Sequence, residues 1–188
     1  MSKNSKCSLP ILAKLASALP RLLRPFWLAS LLAMSACSPA LNWRSVALGE
    51  LSVTLPCKPD RGERTVLLGT QSVRMEMVGC EADGALFAVS RVRVPQGMAP
   101  ERMQVQWQSA TLQQMRARLD PAQPSKIGGT TRLPLTVVTA TGQRANGQPL
   151  QANLAWVAVG TDLVHLAVYA EHLTQEHSEP FLEGIRAP

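Results

Sequence analysis

The chain has 188 residues, 46% of them apolar, which suffices for one ordinary domain with a real core. Its formal charge of +6 invites a nucleic-acid or anionic-surface role, but five of the 19 basic residues (Lys3, Lys6, Lys14, Arg21 and Arg24) lie in residues 1–36, where there is no Asp or Glu. The remainder holds 14 basic against 13 acidic residues, is near neutral and has no Lys/Arg-rich run, which argues against nucleic acid as a partner.

In chain order, the first element is a leader. A basic stretch precedes the apolar run "FWLASLLAMSA", Phe26 to Ala36. A bilayer-spanning helix needs roughly 20 apolar residues, so a run this short predicts a signal peptide over residues 1–36 rather than a permanent anchor. The run ends in "MSAC", which resembles the bacterial lipobox of Leu, a small residue, Gly or Ala, and Cys. Ser35, Ala36 and Cys37 match, while Met34 stands where Leu is commonest. The resemblance implies a diacylglycerol on the Cys37 sulfur, cleavage just before it and acylation, such as by palmitate, of the new amine. Several acyl chains make membrane attachment stable. Ser38 in the second mature position resembles the outer-membrane sorting signal of Gram-negative bacteria, which implies the periplasmic face of the outer membrane. Soluble export, with cleavage after "AMS", is the alternative. Residues 37–47 then form a short lipid-anchored tether, and 48–188 a single domain.

"ELSVTLPCKPD" alternates Leu51, Val53 and Leu55 with Ser52 and Thr54, the period of a half-buried strand that Pro56 and Pro59 end. Cys57 follows this strand. With Cys80 it is a pair in an exported domain, which predicts a disulfide, two buried free thiols being the alternative; Cys7 belongs to the leader. Neither sits in C-x-x-C, so a thioredoxin-like redox role has no support. "RTVLLG", "SVRMEMVGC" and "GALFAVSRVRV" predict further strands of an antiparallel meander, the last of them central, with turns at Gly69, Gly84 and Gly97. "APERMQVQWQSATLQQMRARLD" predicts a helix with Pro100 and Glu101 in its first turn. Its apolar face is expected at Val105, Leu112, Met115 and Leu119, widened by Trp107 and Ala110. "DPAQPSKIGGT" is a loop, "RLPLTVVTATG" and "LQANLAWVAVG" are strands, and "GTD" at 160–162 is a tight hairpin before the strand "LVHLAVYA". A short helix around Glu179–Glu183 closes the chain.

Strands, a helix, more strands and a last helix define an α+β domain, mostly antiparallel sheet with flanking helices. The framework of "ELSVTLPCKPD", a middle helix, "GQRANGQPLQANLAWVAVGTDLVHLAVYA" and "EPFLEGI" resembles the Mog1/PsbP-like fold over nearly all of residues 48–186. That resemblance implies an accessory or binding module, and fold likeness alone assigns no activity.

No set of residues forms a catalytic constellation. His165 is expected on a sheet surface, sharing a strand face with Leu163, Ala167 and Tyr169. His172 and His177 are five apart and miss the i, i+4 spacing of zinc helices, so no metal is expected. There is no G-x-S-x-G, "IGGT" falls short of a phosphate loop, and Glu76, Glu81 and Asp83 suit solvated positions. Arg74, Arg91 and Arg93 share a face of the meander and form a candidate patch for anionic headgroups or an acidic partner, or else an ordinary solvated face with Glu76 nearby. The sequence thus points to a non-enzymatic envelope lipoprotein without a cofactor, held to the membrane by its N-terminal lipid and facing an envelope protein partner. The alternative is a periplasmic hydrolase or small-ligand carrier whose site unites residues distant in sequence.

Overall fold

From residue 44 onward alternating or continuous apolar stretches form strands, nine of them among the described residues. A computed structural model describes residues 40–119 and 135–187. The strands are β1 (Arg44–Leu48), β2 (Leu51–Leu55), β3 (Asp60–Leu68), β4 (Gln71–Ala82) and β5 (Ala85–Arg93). After helix α1 (Pro100–Gln114) come β6 (Arg118–Leu119), β7 (Thr136–Gln143), β8 (Pro149–Val159) and β9 (Asp162–Ala170), and then helix α2 (Gln175–Glu183). β1 and β2 make a two-stranded hairpin, while the other seven make one antiparallel sheet in the order β3-β4-β5-β9-β8-β7-β6. The architecture is therefore α+β with an open, antiparallel sheet. The described residues belong to one unit, Pro39–Pro188, and the leader and Cys37 lie outside them.

The sheet is covered on both faces. One face carries Val78, Phe87, Val89, Leu166 and Val168, which pack against Val53 and Leu55 of the hairpin and Phe181 and Leu182 of α2. The other carries Met75, Val92, Leu154, Trp156 and Leu163, which pack against Met103 and Trp107 of α1. The central strands are consequently apolar at successive positions, with Leu163 to Val168 of β9 all buried, because neither side chain set meets water.

Asp83 and Gly84 form the two-residue β4–β5 turn, both at positive φ (50° and 72°), the conformation that closes a right-twisted hairpin. The turn at 160–161 closes β8–β9 as expected.

Three expectations change. Residues 44–48 are not the end of a tether but strand β1, since Val46 and Leu48 are buried in the core. The long helix stops at Gln114: Met115 caps it, Arg116 turns at φ 48°, and the chain reverses so that Arg118 and Leu119 pair with Thr141 and Ala140. Its buried face is Met103 and Trp107, whereas Val105 is 66% exposed. Two residues along a helix is about 200° of rotation, so a helix that buries the large Trp107 must present Val105 to water. Finally, α2 begins at Gln175 rather than near Glu179, because Thr174 caps it and accepts from the His177 backbone N–H. The loop expected at 120–130 lies outside the described residues.

Candidate functional site

Cys57 and Cys80 are joined, with their Cα atoms 5.9 Å apart and a sequence separation of 23. Cys57 lies just past β2 and Cys80 within β4, so the bond ties the hairpin to the large sheet. The entering chain is held close by: Trp43 packs edge-on against Phe87, ring centres 5.8 Å apart.

The three arginines come together on one sheet face, and each is matched by a carboxylate. Arg74 pairs with Glu63 on β3, and Arg93 lies 3.6 Å from Asp162. Arg91 is the centre: it donates to Glu76 at 2.7 Å and to Asp162 at 2.8 Å, and its side chain is only 16% exposed. Its guanidinium is pushed to be still more basic, first by the hydrogen bond to Glu76 and then by Asp162, against the cost of burial. A Cβ on Gly49, at the tip of the β1–β2 hairpin, would collide with this guanidinium, so the hairpin turn rests on Arg91. Three cations face three carboxylates, Glu63, Glu76 and Asp162, and the cluster is charge-balanced. It holds the hairpin tip over the end of the sheet.

His165 lies beneath α1, not on an open surface. It shares a face with Leu163 and Ala167, as the alternation indicated, but that face is covered. Its ring stacks on Trp156, with centres 4.5 Å apart and planes 13° from parallel, and Trp107 closes it from the helix at 5.3 Å. Ser90 faces it across the β5–β9 ladder and is buried as well. Desolvation pushes the imidazole pKa down to about 3, so His165 is neutral at physiological pH. The side-chain nitrogens His165 Nε2 and Trp156 Nε1 have no partner among the described residues. The stacked neutral imidazole packs inside an aromatic layer, and among the described residues no carboxylate bonds to it.

His177 is the second buried histidine. The Thr174 backbone N–H donates to Nδ1 at 3.4 Å, which requires that nitrogen to be bare, so Nε2 carries the proton and donates to Asp83 at 3.1 Å. This links the start of α2 to the β4–β5 turn, 94 residues away in sequence. Glu81, Asp83, Leu86 and Arg144 border an open concavity of about 280 Å³ beside that turn. His172 is exposed, 3.8 Å from Glu171. Among the described residues no cluster of His, Cys, Asp and Glu could hold a metal, and no helix is long and apolar enough to cross a membrane. Gly128 and Gly129 lie outside the described residues.

Sequence reasoning missed the aromatic cover of His165, the Asp83–His177 link and the role of Asp162 beside Arg91. Only the first left a signal: in "LVHLAVYA" one alternate set is wholly apolar and the other carries no charged residue when His165 is neutral, the mark of a strand buried on both faces.

No family model and no curated protein matches the chain. A crystal structure of a protein from Bacteroides thetaiotaomicron is similar at TM-score 0.43 and 12% identity, covering 74% of this chain and 45% of that one. The immunity protein TplEi of the T6SS from Pseudomonas aeruginosa, complexed with an "L" peptide, is similar at TM-score 0.36 and 14% identity, covering 79% of this chain and 60% of that one. The chain thus spans less than two thirds of either.

Proposed function

We propose that the protein is a non-enzymatic lipoprotein of the bacterial cell envelope that presents a small Mog1/PsbP-like binding or assembly domain at the periplasmic face of the outer membrane. The observation that carries this reading is "MSAC" at residues 34–37, which ends a short apolar run a few residues before strand β1. The Cys57–Cys80 bond supports it, because such bonds persist in oxidising compartments such as the periplasm. Strand β1 starts at Arg44, only a few residues past Cys37, so an acylated Cys37 would hold the domain against the bilayer. An antiparallel sheet with a helix on each face supports the fold reading, and an envelope protein is the partner proposed for it.

The test is the non-reducing intact mass of the protein extracted from envelopes. The expected mass is that of residues 37–188 plus acyl groups and minus two hydrogens. A lipid-free mass with a different start would make Cys37 an ordinary residue and remove the anchor.

A further inference from the structure

Among the described strands, β3 pairs only with β4, so its outer edge is the open end of the sheet. Residues Asp60 to Thr65 on it are all exposed. Edge strands are commonly protected by charges that repel a second copy. The charges on β3 have a different pattern. The sequence is Asp60-Arg61-Gly62-Glu63-Arg64, and about Gly62 the signs invert: Arg61 mirrors Glu63, and Asp60 mirrors Arg64.

In an antiparallel pair related by a two-fold axis, the central residue faces its own copy, and a residue before the centre faces the one equally far after it. Centred on Gly62, each copy's Arg61 meets the other's Glu63 and each Asp60 meets the other's Arg64, so every charge of the stretch faces its opposite. Centring on Glu63 sets Glu63 against itself, and centring on Arg64 sets Arg64 against itself. Directly opposed unlike charges stabilise a strand pair, and like charges destabilise it.

We propose that β3 pairs with β3 of a second copy, antiparallel and centred on Gly62, joining the two sheets edge to edge. Asp60 and Arg64 make no ion pair within the chain among the described residues, so they are free for this contact. Glu63 accepts from Arg74 and Arg61 donates to the Ala47 carbonyl oxygen within the chain, so each would share its charged group between its own chain and the second copy. Pro59 has no N–H, so the ladder is short and the association weak, strengthened wherever both copies are confined to one surface. A two-fold axis through the sheet edge also keeps the hairpin faces of both copies on the same side, so both chains enter β1 from that side. The pairing rests on β3 alone and stands or falls apart from the lipid anchor.

The test is cysteine crosslinking of the full-length protein in envelopes. A Cβ on Gly62 meets nothing nearer than the Met77 Cε at 3.7 Å, so Gly62→Cys is tolerated. Under mild oxidation Gly62→Cys should give a disulfide-linked homodimer on a non-reducing gel. Thr65→Cys should not, since its two copies would lie about 20 Å apart along the strands. In the Gly62→Cys background, Arg64→Asp should cut the dimer at least about fivefold by setting Asp against Asp60, and adding Asp60→Arg should restore it. Equal dimer at both cysteine positions, no dimer at Gly62→Cys, capture of a different protein there, or failure of the swapped pair to restore the dimer would each overturn the proposal.

Discussion

Two residues show how environment assigns a role that residue type leaves open. Arg91 and Arg74 lie on the same face, yet the Arg91 side chain is 16% exposed and bonded to two carboxylates, while that of Arg74 is 71% exposed and bonded to one. Arg91→Ala would strand Glu76 and Asp162 and remove the support of the hairpin tip, so a loss of about 2 kcal/mol is expected, against less than about 0.5 kcal/mol for Arg74→Ala. Urea midpoints of both variants check this. His165 is held neutral by burial, with its pKa near 3. The unfolded chain therefore takes up a proton below about pH 6.5 that the folded chain refuses, and stability falls as pH drops from there toward 3. Between pH 7 and pH 4 this group alone should cost about 3 kcal/mol, and His165→Phe should flatten that part of the profile. Equal acid sensitivity of the variant and the parent in urea titrations at the two pH values would place the effect elsewhere.

The elements follow the sequence pattern wherever local rules suffice and depart from it where packing intervenes. Strands β2 and β4 appear where alternation put them, since period two is a local property, and β5, β8 and β9 appear where apolar runs between turn signals put them. The face of α1 was misjudged because Val105 and Trp107 are both apolar and only the surface below decides which is buried. Met103→Ala, which empties a fully buried position, should therefore cost about 2–4 kcal/mol, while Val105→Ala should be near neutral. Thermal or urea unfolding separates them. At α2, Thr174 and His177 satisfy each other's backbone N–H groups, so Thr174→Ala should cost about 1 kcal/mol and fray the first turn, visible as faster hydrogen exchange there.

For the whole molecule, the decisive contact is the one between the hairpin and the sheet. Apolar packing, Arg91 beneath Gly49 and the Cys57–Cys80 bond all act across it. The bond closes a loop of 23 residues, and replacing both cysteines by serine should lower stability on the order of 3 kcal/mol in the chain-entropy model. Denaturant unfolding of the double variant beside the oxidised parent checks that figure, and hydrogen exchange should show the hairpin opening first. The same hairpin follows the short segment after Cys37, so an acyl anchor would load this junction before any other part of the domain.

The sequence by itself determined the α+β class, most strand positions, the tight turns at Asp83-Gly84 and Gly160-Thr161, and the pairing of Cys57 with Cys80. These follow from periodicity, turn chemistry and the small number of cysteines, all of which act over a few residues or by simple counting. Tertiary structure alone decided that residues 44–48 are a strand, that His165 is roofed by Trp107, that Asp162 and Glu76 hold Arg91, and that Asp83 meets His177. The Trp107–His165, Arg91–Asp162 and Asp83–His177 contacts join segments tens of residues apart, while β1 pairs with its neighbour β2 but is fixed by core burial, which exists only once the sheet has both its covers.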